Sequence, residues 1–294
     1  MLDKTLSHRS AVMLMIVVTL LWSIAGVVTR HLESARSFEV TFWRSFFTVA
    51  SLLVILPFFQ GRVVFARIRQ GRAALWLSGV CWSVMFTAFM VALTLTTVAN
   101  VLVTMSIGPF LTALLARVFI KHQIAARTWF AIVLAGIGIG WMYGRQMDFS
   151  SQLAGTLVAL MVPLAAASNW TVLQHSRAQG EKIDLMPAVL IGAALSTLVT
   201  LPLALPFAAT PRDITLLAML GLVQLAIPCV LSVMCARVLK APEVALLGLL
   251  EVIFGILLAW LGAGEVPGAN VLTGGALVIM ALGINELIGW RQKS

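Results

Sequence analysis

The sequence predicts an all-α polytopic membrane protein with ten transmembrane helices, and three observations predict it. Hydrophobic residues make up 61% of the 294-residue chain and charged residues only 11%, against about 25% charged in an ordinary soluble domain. The apolar residues fall in continuous runs of the roughly 20 residues that a helix needs to cross a hydrocarbon core. The connections are short, and the basic residues gather in alternate ones. A water-soluble core of this size has no room for so much apolar surface. That excludes a soluble enzyme, a disordered chain and a collagen-like fibre. Continuous rather than alternating runs favour helices over a β-barrel.

The first run, 11–29, follows Lys4 and Arg9 and contains Ser23-Ile24-Ala25, which resembles a small-residue cleavage site. It continues to Thr29 and nine more runs follow, so it reads as a span rather than a signal peptide. The second run, 38–59, encloses Arg44, and the third is 73–93. The fourth, 97–120, is interrupted by Pro109, which leaves the carbonyl of Met105 without its helical donor. The fifth, 126–144, carries Gly136, Gly140 and Gly144, a spacing that lets helix backbones approach closely. The remaining runs are 153–174, 184–208, 213–236 with Pro228, 243–262 with Glu251, and 269–290.

A net charge of +9 would suit nucleic acid, but the cations sit in short clusters between apolar runs, so no nucleic-acid partner is expected. Fifteen of the 20 basic residues, Arg67, Arg69 and Lys121 among them, fall on one side. Arg30, Arg36, Arg145 and Arg212 fall on the other, with Arg44 inside a span. This asymmetry and the even span count put both termini in the cytoplasm. Cys81, Cys229 and Cys235 lie inside apolar runs and read as small core- or lipid-facing residues. No metal site or cofactor motif is present, and His122 and His175 stand singly.

The spans divide five and five. A shift of 143 positions lays Pro109 on Val252, His122 on Glu265 and Gly140 on Gly283, with matching hydropathy and loop lengths. Five being odd, the second copy is inserted upside down. Inverted repeats of this kind build transporters with a midplane site that opens alternately to each side. The predicted units are 1–145 and 153–290.

The segment Leu250-Glu251-Val252-Ile253-Phe254-Gly255, running on to Gly262-Ala263-Gly264-Glu265, resembles the repeat of the drug/metabolite transporter superfamily, in its ten-helix EamA-type branch. Trp22 with its following small residues and Arg44 near the start of span two are similar as well. Val252 stands where that family often has proline, and His122 where it usually has glutamate. The resemblance covers nearly the whole chain as two EamA-like repeats. It implies that the fifth and tenth helices sit side by side at the periphery, with Gly136 and Gly140 facing span ten.

Glu251 is the leading functional candidate. It lies near the bilayer centre, where a charge costs about 2.5–3.5 kcal/mol on insertion scales and normally faces a cavity. Gly248 and Gly255 on the same face would leave room around it. Arg44 is roughly 9 Å inside its span; it either snorkels to the headgroups or holds an anion, or pairs with Glu39 or Glu251. Asn100 and Thr104 near Pro109, and Gln224 near Pro228, are candidate polar linings. Trp22, Trp82, Asn169 and Trp170 lie inside spans rather than at the ends, and aromatic walls suit organic amines or aromatic metabolites. Each also has a plain packing reading, and Glu265 reads as a structural residue at a span end. The expectation is a secondary active transporter of the bacterial cytoplasmic membrane, moving a small organic metabolite such as an amino acid or amine. It would work among membrane lipids as a monomer or homodimer, with protons as the candidate coupling ion. The alternative is an intramembrane enzyme acting on a lipid or prenyl substrate.

Overall fold

The computed structural model describes residues 6–35, 37–61, 63–69, 71, 73–120, 126–143, 151–178, 186–235, 238–239 and 241–291. Among them all regular structure is helical: α1 (His8–Thr29), α2 (Ser37–Gln60), α3 (Val63–Arg69), α4 (Ala73–Leu95), α5 (Val98–Met105), α6 (Gly108–Ile120), α7 (Ala126–Tyr143), α8 (Ser151–Ala178), α9 (Met186–Ala204), α10 (Pro211–Met219), a π-helical segment Leu220–Ala226, α11 (Ile227–Cys235), α12 (Ala241–Ala263) and α13 (Ala269–Arg291). Each predicted run is helical over most of its length. Seven described helices are long and apolar enough to cross a membrane, with shorter apolar stretches at Leu247–Ala263 and Ala269–Ala281. The outside of the bundle is apolar, with Phe58 83% and Leu261 81% exposed. Such a surface requires lipid rather than water around it. The chain is an all-helical, multi-pass membrane protein.

Three elements depart from the runs read in the sequence. The fourth run is two helices, and the break falls at Ser106–Ile107, just before Pro109. There the Ser106 amide donates back to Leu102 and Val103, while Phe110 and Leu111 begin a new turn on the Ile107 carbonyl. The seventh run stops at Ala204, because residues 205–210 leave the helix before a new start at Pro211. That start is a capping box: Thr210 accepts from the Asp213 amide and Asp213 from the Thr210 amide. The short helix α3 has no counterpart among the predicted runs.

The helices pack where small residues allow it. Helices α4 and α9 cross at Gly79 and Gly192: a Cβ on Gly192 would lie 3.0 Å from the Gly79 carbonyl oxygen and against the Trp82 side chain. Helix α7 packs on α13, as the resemblance implied. The contact runs through Gly138, whose added Cβ would meet the Gly274 carbonyl at 2.8 Å, and through the Trp141 indole, which donates to Thr273 at 3.1 Å. Gly136 faces open space, so its assignment to span ten is corrected: the contact runs through positions 138 and 141 rather than 136. The surroundings of Gly140, and all of Gly144, lie outside the described residues.

At the end of the bundle that carries Arg30, buried carboxylates tie the loops together. Asp213 accepts from the amides of Glu33, Ser34 and Ala35 at 2.8–3.1 Å. Glu39 accepts from Ala208 and Ala209 at 2.8–3.0 Å. Both acids are fully buried, and charged acceptors make amide hydrogen bonds shorter and stronger than neutral ones do.

Candidate substrate site within the bundle

Helices α1, α2, α4, α11 and α12 and the π-helical segment bring four of the candidate residues together. Pro228 has no amide hydrogen to give the Gln224 carbonyl, and the turns just before it are widened: the Ile227 amide reaches Leu222, five residues back. Gln224 sits in this wide segment. Its Oε1 accepts from Arg44 Nη1 at 3.1 Å, and its Nε2 donates to the Trp22 carbonyl at 3.3 Å. Arg44 is 1% exposed, which corrects the snorkelling reading. Its Nη2 donates to the Phe86 carbonyl at 2.9 Å, and its guanidinium carbon lies 5.9 and 5.8 Å from the Phe86 and Phe89 ring centres. Its Nε has no partner among the described residues.

Neither expected acid pairs with Arg44. The oxygens of Glu39 are taken by the Ala208 and Ala209 amides, and no ion pair joins Glu251 to Arg44 among the described residues. The Cys229 thiol is hydrogen-bonded by the Trp22 side chain and interacts electrostatically with both Arg44 and Glu251. Glu251 is partly buried, and among the described residues nothing donates to its carboxyl group. Two ionisable groups of opposite sign thus act on one thiol, and no ion pair joins them among the described residues. The room predicted beside Glu251 is present only on one side. Gly248 faces open space, whereas the position of a Gly255 Cβ is filled by the Leu102 side chain.

The other candidates lie apart from this centre. Trp82 stacks on Phe86 at 5.3 Å in a tilted arrangement and so borders the site through that ring. Asn169 is buried and accepts from Ser78 at 2.5 Å, while Trp170 packs with Trp82 around Leu75, Ala188 and Ile191. Asn100 donates to Thr96 at 3.1 Å and its Oδ1 is unpaired among the described residues; Thr104 is buried one turn further along. Sequence reasoning missed Cys229, because a lone apolar-run cysteine carries no signal of its neighbours. It read Glu265 as a structural residue at a span end and named no partner for it; Glu265 binds Arg30 at 2.8 Å and the Val98 amide at 2.7 Å. A separation of 235 positions hides that pair.

Residues 9–144 match the EamA-like transporter family. The Pseudopaline exporter CntI of Pseudomonas aeruginosa, in two strains, is 24% identical over 280 residues, covering 93% of this chain and 94% of the relative. A solved crystal structure superposes with a TM-score of 0.61 at 18% identity, covering 96% of this chain and 99% of that one, so the two share a fold over nearly their whole lengths. The chain is an all-helical, multi-pass membrane protein whose residues 9–144 are similar to the EamA-like transporter family.

Proposed function

We propose that the chain is a secondary active transporter with ten crossings, in two inverted five-helix units at 1–145 and 153–290, both termini cytoplasmic. It moves a small organic metabolite out of the cell by alternating access, using protons as coupling ion. Packing supports the inverted arrangement. Shifting the crossing number by five turns most contacts between the halves into another contact that is present, α5–α13 being the exception. Helix α4 packs on α8, and α11 on α1; α6 packs on α8, and α12 on α1; α4 packs on α9, and the π-helical segment on α2. The pairs α2–α9 and α7–α13 are their own counterparts. Export follows the relatives, which are named as exporters.

One observation carries the reading: among the described residues Arg44 is buried on neutral partners alone and Glu251 has no donor, while both act on Cys229. Holding unpaired ionisable groups inside a membrane costs several kcal/mol. A ligand with both an anionic and a cationic group would satisfy them together, with Trp22, Phe86 and Trp82 as the apolar wall. Asn100, Thr104, Asn169, Trp170 and Gln224 complete the proposed lining along the path. The test is a thermal-stability screen of the purified protein against amino acids, the matching amines and nucleosides, repeated on Arg44→Gln and Glu251→Gln. Amino acids should stabilise the wild type, and each variant should lose the compounds bearing the group it recognised. Stabilisation by nucleosides alone, unchanged in both variants, would overturn the assignment.

A further inference from the structure

We infer that Arg30 and Glu265 form the outer gate of the transport path, the one link between the halves at that end that is built to open. The inference rests on the alternating-access reading. Arg30 closes α1 and spends its guanidinium on three partners: the Leu93 carbonyl at 2.9 Å, the Thr96 carbonyl at 2.7 Å, and Glu265 at 2.8 Å. The second oxygen of Glu265 accepts from the Val98 amide, the first residue of α5. A single carboxylate from the end of α12 therefore fastens α1, α4 and α5 to the other half. Those helices lead directly to the centre: α1 carries Trp22, α4 carries Phe86, and α12 carries Glu251.

The same end holds other links across the halves, and burial separates them from this one. Asp213 and Glu39 are fully buried and bind backbone amides; breaking them would strand several amides out of water. The Arg212–Glu33 pair is the most exposed, with side chains 62% and 45% accessible, and contributes little. Arg30 and Glu265 lie between these extremes at 29% and 16%. Their charges hold the end shut, yet both reach water and rehydrate when it opens. Opening would break the Glu265 contacts, and contacts made in one state and not the other are what bias a two-state equilibrium.

The test uses Cys229 as a reporter, since it is fully buried beside Trp22. Cys81 and Cys235 are replaced by alanine, and sealed vesicles of both orientations are treated with a membrane-impermeant methanethiosulfonate. Wild type should be labelled slowly from each side. Glu265→Gln should raise the outer rate and lower the inner one, shifting their ratio about tenfold, with Arg30→Lys shifting it less. A rise from both sides would mean general loosening, and an unchanged ratio would mean a static tie; either overturns the gate and leaves alternating access intact. Labelling of the wild type from one side only, or from neither, would overturn alternating access itself and the gate with it.

Discussion

Gly221 holds α2 against the π-helical segment, and filling it offers a way to separate the site's two halves by a known distance. A Cβ at Gly221 would lie 2.7 Å from Phe47 Cβ, 2.8 Å from the Arg44 carbonyl oxygen and 2.9 Å from the Thr48 amide nitrogen. Two of these are backbone atoms, so no rotamer change relieves them. Ordinary contact begins near 3.4 Å, so Gly221→Ala must push α2 away by about 0.6 Å. That displacement carries the 3.1 Å Arg44–Gln224 hydrogen bond beyond the 3.5 Å at which such a bond is lost. The Thr48 hydroxyl contact to the Gly221 carbonyl, already 3.2 Å, goes with it. Overpacking of this kind costs about 1–3 kcal/mol. The matched control is Gly248→Ala, where nothing lies within 4 Å and alanine's helix propensity gives at most about 1 kcal/mol of stabilisation. Thermal unfolding of both proteins in one detergent, followed by ligand stabilisation, is the assay. Gly221→Ala should melt lower and lose ligand response, and Gly248→Ala should melt at or above the wild type. Equal melting temperatures for the two variants would refute the packing argument.

Three further outcomes are expected. Glu251→Gln removes the exchangeable proton but keeps the shape, so in proteoliposomes with an imposed pH gradient uphill transport should be lost while the fold survives; uphill transport at the wild-type rate would remove the coupling role. Asp213→Asn leaves one amide oxygen to serve the donors of Glu33, Ser34, Ala35 and Thr210, and the melt should drop by an amount equivalent to roughly 1–3 kcal/mol; an unchanged melt would show that these amides find water. Cysteine labelling from outside intact cells should reach the loop beside Arg212 and not the one holding Arg67 and Arg69, and the opposite pattern would invert the topology.

Run length and hydropathy made the helical segments legible, because a bilayer admits little else between two polar ends. The interruptions were half legible. Pro109 and Pro228 flagged two spans, but a missing donor does not say how the chain absorbs it. One span broke at Ser106–Ile107 and the other widened into a π-helical segment. Lateral phase was not legible. Glycines four apart suggest a helix contact, yet they do not say which stripe meets the neighbour, and Gly138 took the place expected of Gly136. Charge pairing was the least legible. Glu39 is five residues from Arg44 in sequence, but the backbone amides of Ala208 and Ala209 hold it instead. Arg30 and Glu265 meet only because α1 and α12 run side by side.

The widened turns before Pro228 leave this span with two separate facings. In a regular helix, every residue's direction follows from that of the first. A segment with five-residue closures advances the chain less per residue and resets the angle of everything beyond it. Leu217, buried before the segment, and Cys229, Ser232 and Cys235, buried after it, can therefore answer to different neighbours. Single-residue gain or loss inside 220–226 would turn Cys229 relative to Asp213 while both flanking helices keep their own hydrogen bonds. Such a joint lets the floor of a binding chamber be re-aimed without rebuilding the lid, a freedom that an unbroken span of the same length does not have.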